Sequence, residues 1–254
     1  MIESTLKGRR ALVTGANGAI GSAVTALFRE HGVHVIGVDQ LAAIDLENAD
    51  FHSDDLVRVD VTSGLQLKAL VARVTAQSGP IDTLVNIAGV VSFGSAQDLA
   101  EEEWDRVLDI NLKGSFLACQ AVIPGMRALS FGRIINLGSV VGKNSGNARA
   151  WIDPTEQQLA GNVAYGVSKA GVHIMTGFLA RELGAHGITV NAIAPGPIAT
   201  VMTTNFPPTL KALIPRGRMG TPGDVARTVE FLMRRESDFI TGEVLDVNGG
   251  MWCD

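Results

Sequence analysis

The chain has 254 residues, enough for one large α/β domain or two small ones with a substantial core. Apolar residues make up 46% and aromatic residues only 5%, so the core must be built from Ala, Val, Leu and Ile, while 29 glycines point to tight backbone packing or close approach to a ligand. A net charge of −5 provides no basic footprint for nucleic acid.

Cys119 and Cys253 lie far apart and read as two reduced thiols. His31, His34, His52, His173 and His186 show no paired spacing, so no metal site is expected. The N-terminal residues lack an apolar leader region, and no apolar run approaches the roughly 18 residues that would cross a bilayer. The expectation is a soluble, cytoplasmic protein without a membrane partner.

Short apolar runs at 10–14, 33–38, 57–61, 83–87, 133–137, 189–193 and 244–247 read as strands. Helical patterns fall between them, near 19–31, 65–77, 101–129, 164–184 and 223–234. The strands are continuous rather than alternating in hydrophobicity, as in a parallel sheet covered on both faces. Alternating β and α elements then predict a single α/β domain, a doubly wound Rossmann-type sheet of about seven strands. Thr221, Pro222 and Asp224 predict a capped start for the last helix. Three stretches stay irregular: an acidic one at 40–55, a loop at 141–162 before the helix of Tyr165, and a loop at 196–221 with Pro197, Pro207, Pro208 and Pro215. Loops leaving the C-terminal ends of parallel strands are where such sheets bind ligands.

The first strand runs into Thr14-Gly15-Ala16-Asn17-Gly18-Ala19-Ile20-Gly21. Glycines at a strand-to-helix turn let backbone N–H groups approach a pyrophosphate at the helix N-terminus. The second strand ends at Asp39, placed to accept the adenine ribose hydroxyls and to repel a 2′-phosphate, and no Lys or Arg follows in 40–55. Both features predict NAD rather than NADP. Tyr165 is the only tyrosine, and Lys169 follows four residues later, on the same face of a helix. A phenol with a pKa of about 10 is a poor acid–base group at neutral pH, and a neighbouring ammonium would favour its phenolate.

With these residues in view, the chain resembles the short-chain dehydrogenase/reductases over nearly its whole length, from Lys7 to Gly250. The resemblance rests on the 14–21 loop, Asp60-Val61, Asn86-Ile87-Ala88-Gly89, Asn111, Ser139, Tyr165 with Lys169, Asn191 and Pro195-Gly196. It implies catalytic roles for four residues. Tyr165 would exchange the substrate proton, Lys169 would lower the phenol pKa and hold the nicotinamide ribose, Ser139 would bind the substrate oxygen, and Asn111 would position a water. It also implies NAD contacts at Gly15, Asn17, Gly18, Ala19, Ile20, Gly21, Asp39, Asp60, Val61, Asn86, Ala88, Gly89, Tyr165, Lys169, Pro195, Gly196 and Ile198. Two positions depart from the family pattern: Ala19 stands where glycine is usual, and Ile87 where a second asparagine is common.

Ser139 and Tyr165 are 26 residues apart (165 minus 139), against about a dozen in relatives. The extra segment holds Arg149 and Trp151, read either as a substrate lip, with Trp151 stacking on a sugar-like face and Arg149 bonding hydroxyls or an anion, or as a surface excursion or oligomer contact. The leading functional expectation is an NAD-dependent dehydrogenase of a sugar or polyol hydroxyl. The alternative is a 3-oxoacyl-thioester reductase, which the runs 240–244 and 248–250 also resemble; Asp39 argues against it, because biosynthetic reductases mostly use NADPH. A third reading is a catalytically silent NAD-binding regulator. By analogy with relatives, the long helices imply a homo-oligomer, a tetramer or dimer.

Overall fold

The computed structural model describes residues 6–52, 56–146, 158, 160–204 and 207–253. Its elements run β1 (Arg10–Thr14), α1 (Ala19–Glu30), β2 (His34–Asp39), β3 (Ile44–Asp45), β4 (Leu56–Arg58), α2 (Gly64–Ser78), β5 (Thr83–Asn86), α3 (Glu101–Leu108), α4 (Gly114–Leu129), β6 (Gly132–Leu137), α5 (Val141–Asn144), α6 (Val163–Leu183), β7 (Ile188–Pro195), α7 (Pro208–Lys211), α8 (Pro222–Met233) and β8 (Val244–Val247). All strand pairs are parallel, in the order β3-β4-β2-β1-β5-β6-β7-β8.

Side chains of successive strand residues go to opposite faces. Leu12, Ile36, Val38, Leu84, Ile134 and Val190 pack under α2, α4 and α6, while Ala11, Val13, Val35, Val85, Ile135 and Ile193 pack under α1 and α8. Both faces are therefore covered, which is why the strands read as unbroken apolar runs. The expected cap at Thr221 is present: its side chain accepts the Asp224 N–H and Asp224 accepts the Thr221 N–H.

The structure corrects the expected elements in four places. A two-residue strand, β3, forms inside the acidic 40–55 stretch and brings the sheet to eight strands. The strand expected at 57–61 ends at Arg58, although Val59 and Val61 remain buried. The helix expected at 101–129 is interrupted by a π-helical turn at Asp109–Lys113. The 141–162 and 196–221 stretches are not wholly irregular, since they contain α5, a 3-10 turn at Val201–Thr203 and α7.

Chain order reverses between β1 and β5, the switch point where open α/β sheets bind ligands beyond the strand C-termini. The turns after β1, β2, β5 and β6 meet there.

Candidate active site

A cleft of about 810 Å³ opens at that switch point, within the usual range for ligand pockets. Its floor begins with the 14–21 turn. Gly15 has φ +66°, and a Cβ there would stand 2.7 Å from the Ala88 nitrogen; a Cβ on Gly21 would collide with the Gly15 carbonyl. Thr14 Oγ1 accepts the N–H groups of Ile87 (3.1 Å) and Ala88 (3.2 Å), tying the β1 and β5 turns together. Gly18 caps α1 with no side-chain hydrogen bond, and the first turn of α1 contains no acid. The N–H groups of Ala19, Ile20 and Gly21 have no acceptor among the described residues, so this helix end can receive an anion. Ala19 sits at the first helical position and lines the cleft.

At the end of β2, Asp39 Oδ1 accepts the Leu41 N–H at 2.9 Å and Oδ2 accepts the Asn17 N–H at 3.3 Å. These bonds hold its carboxylate against the glycine turn. Asp60, Val61, Ala88, Gly89, Pro195, Gly196 and Ile198 line the cleft as expected, and so does Ile87. Two expected cofactor residues lie elsewhere. Asn17 is an exposed turn residue joined to Asp39 through its backbone. Asn86 is buried behind the cleft, where its amide bonds Asn136 Oδ1 at 2.9 Å and Ser115 O at 3.2 Å, because its side chain takes the sheet face covered by α4. Arg149 and Trp151 fall outside the described residues.

Ser139, Tyr165 and Lys169 converge at the other end of the cleft. Ser139 Oγ accepts the Val141 N–H at 3.2 Å, and its hydroxyl stands beside the Tyr165 phenol. Burial pushes the Tyr165 phenol above its ordinary value, and the Ser139 hydroxyl opposes that shift. Lys169 Nζ donates to the Leu137 carbonyl at 2.7 Å and lies 5.9 Å from the Tyr165 ring centre. Its own pKa is pulled down to about 8 by burial. With the ammonium turned towards Leu137, burial is the larger influence on the Tyr165 phenol in the free protein.

Asn111 is fully buried in the π-helical turn, a geometry that often marks functional positions. Its Oδ1 accepts the Val90 N–H at 2.8 Å, and its Nδ2 donates to Val90 O at 2.9 Å and Ser168 Oγ at 3.0 Å. It thereby locks the turn after β5 to α6. A Cβ on Gly89 would stand 3.1 Å from Asn111 Oδ1 and 3.6 Å from Lys169 Nζ, so the three residues meet at one point.

The sequence reading missed Asn162. It caps α6 by accepting the Tyr165 N–H at 3.2 Å, and its Nδ2 donates to Ser92 Oγ (2.7 Å) and Phe93 O (3.3 Å). An Asn three residues before Tyr165 is an N-cap signal that could have exposed it. It also missed the apolar lining from Val90, Val91 and Ile110.

The family model described as Enoyl-(Acyl carrier protein) reductase matches residues 15–252. The chain belongs to the short-chain dehydrogenase/reductase family. It is 38% identical over 253 residues to the 3-oxoacyl-acyl-carrier-protein reductase FabG of Vibrio cholerae, covering 97% of this chain and 98% of that protein. It is 39% identical over 259 residues to the reductase of the same name from Thermotoga maritima, again covering 97% and 98%. The matching protein from Chlamydia muridarum is 35% identical over 260 residues, 98% of this chain and 100% of that protein.

These relatives overturn the sugar or polyol expectation. The cleft agrees with them: besides Ser139 and Tyr165, its described lining offers side-chain hydroxyls only at Thr200 and Thr203, against the aliphatic Val90, Val91, Ile110, Ile198 and Val201. Family membership shows an oxidoreductase acting on CH–OH groups with a nicotinamide nucleotide. Among the described residues, no helix is long and apolar enough to cross a membrane.

Proposed function

We propose that the protein reduces 3-oxoacyl thioesters, carried on acyl carrier protein, to 3-hydroxyacyl thioesters with NADH. The observation that carries this reading is the near full-length similarity to 3-oxoacyl-acyl-carrier-protein reductases, combined with a largely apolar lining in the cleft that holds Ser139 and Tyr165.

When bound in this cleft, a nicotinamide nucleotide would supply the hydride for the carbonyl carbon. Ser139 hydrogen-bonds the substrate oxygen and stabilises the charge that develops there. Tyr165 donates the proton to that oxygen, a role that suits a phenol kept neutral by burial. Lys169, still mostly protonated at neutral pH, holds the nicotinamide ribose and supports reprotonation of the phenol. Asn111 fixes the turn after β5 against α6, beside Lys169. The glycine turn and the free N–H groups of α1 receive the pyrophosphate.

The choice of NADH over NADPH rests on Asp39. The charged residues lining the described cleft are Asp39, Asp60 and Lys169, and only Lys169 is a cation; it stands at the nicotinamide end. Arg58, on the strand beside Asp39, is held by Ala42 O at 2.8 Å and Asp45 at 3.2 Å. A 2′-phosphate would meet a carboxylate with no countercharge. Pro197, Ile198, Thr200, Val201 and Thr203 from the loop after β7 line the cleft and would face a bound substrate. Exposed Phe116, Ile174 and Phe178 on α4 and α6 support a homo-oligomer.

A reductase assay with a 3-oxoacyl thioester tests the reading. NADH oxidation in its presence, with NADPH at least tenfold poorer in kcat/KM, is the expected result. Activity confined to polyols or sugars, or to no carbonyl substrate, would overturn it.

A further inference from the structure

His173 was one of five scattered histidines in the sequence, and the structure places it under the turn that carries Ser139. It follows Lys169 by one helical turn on α6, so that Tyr165, Lys169 and His173 form a single stripe at four-residue intervals. Its Nε2 accepts the backbone N–H of Ser139 at 3.3 Å. An imidazole accepts at Nε2 only through the lone pair of an unprotonated nitrogen, so this contact calls for the ring proton on Nδ1. The ring also fills space left by two glycines. A Cβ on Gly138 would collide with His173 Nε2, and one on Gly142 would stand 2.9 Å from His173 Cε1. The turn bearing Ser139 thus closes over the imidazole, which gives it both a floor and an acceptor.

We propose that His173 is a positioning residue for Ser139. It holds the backbone of the 138–142 turn so that Ser139 Oγ, which already accepts the Val141 N–H, keeps its hydroxyl proton for Tyr165 or the substrate oxygen. His173 makes no contact with substrate in this account and acts only through Ser139. The inference rests on the catalytic role proposed above for Ser139. A misplacement of about 1 Å at such a group can cost on the order of a hundredfold in rate.

The test compares H173F, which keeps a flat ring without the acceptor, with H173Q, whose side-chain oxygen can reach the Nε2 position. H173L replaces H173F if its melting curve shows that the phenyl ring is not accommodated. In the thioester assay, kcat of H173F should fall about ten- to a hundredfold with an unchanged NADH dissociation constant, and H173Q should recover to within a few-fold. A second readout needs no activity. Tyr165 is the only tyrosine, so its phenolate absorbance titrates without interference. Losing the Ser139 hydroxyl from the phenol should raise the midpoint in H173F as much as in S139A, with H173Q unchanged. Wild-type kcat and an unshifted phenol in a folded H173F or H173L would overturn the proposal, as would equal loss in H173F and H173Q. If the wild type reduced no thioester while H173F and S139A still shifted the phenol together, the positioning role would stand and the reductase reading would fall.

Discussion

Lys169 donates its Nζ proton to the carbonyl oxygen of Leu137 at 2.7 Å, a bond that anchors a buried ammonium two residues before Ser139. Leu137 ends β6 and Lys169 lies on α6, so this bond fixes the helix that carries Tyr165 against the strand that delivers Ser139.

Burial lowers the Lys169 pKa from 10.5 to about 8, so the charged side chain opposes folding at neutral pH. Between pH 8 and 10.5 the unfolded chain binds more protons than the native one, and by linkage this group's contribution to stability rises with pH across that window. Replacing Lys169 by Met should abolish activity while stabilising the fold at pH 7 by about 1–3 kcal/mol, less whatever the unpaired Leu137 carbonyl costs. Denaturant melts of both proteins check this, and a K169M variant less stable than wild type would count against it.

The same shift sets a pH limb. Below about pH 8 Lys169 carries its proton, and above it the cation is lost. Tyr165 is pushed in the other direction and stays neutral across that range, so Lys169 is the first of the pair to titrate as pH rises. Because kcat/KM reports groups of the free enzyme, reduction should decline above about pH 8. A profile flat to about pH 10 would remove Lys169 from the essential groups.

Asp39 is the selector between cofactors in this account, and its two backbone hydrogen bonds make it part of the turn as well. Asp39→Ser keeps a short polar side chain and removes the charge. NADPH efficiency should rise by roughly tenfold or more while NADH efficiency falls, since a like charge a few ångströms from the 2′-phosphate is relieved. Unchanged cofactor preference, measured as the ratio of kcat/KM values, would place selection elsewhere.

Asn162 ties the Ser92–Phe93 turn to the start of α6 with one buried side chain. Asn162→Ala removes the cap of α6 and leaves the Ser92–Phe93 turn untied, for an expected loss of about 1–3 kcal/mol. Asn162→Asp keeps the cap acceptor but not the donors. It should recover part of the stability and little of the rate, as thermal melts and kcat will show.

The glycine turn, Asp39 and the Tyr165–Lys169 pair were legible in the sequence because each is a local pattern whose chemistry fixes its spacing. β3 was not, because a two-residue strand has no periodicity of its own and forms only when Ile44 and Asp45 meet β4. The π-helical turn at Asn111 was hidden for a similar reason: it is held by Val90, 21 residues earlier, and Ser168, 57 residues later. Asn162 and His173 gain their meaning from Ser92 and Ser139, which are 70 and 34 residues away in sequence. The substrate class was not legible, because the apolar lining from Val90, Val91 and Ile198 takes shape only in the folded cleft.

The most direct measurement is the rate of NADH oxidation by the wild-type protein and by Tyr165→Phe with one 3-oxoacyl thioester. Turnover is expected for the wild type, with a loss of a hundredfold or more in kcat for Y165F, as when a general acid is removed, and with NADH still bound. Equal rates for the two proteins, or no thioester reduction by a wild type that binds NADH, would contradict this reading.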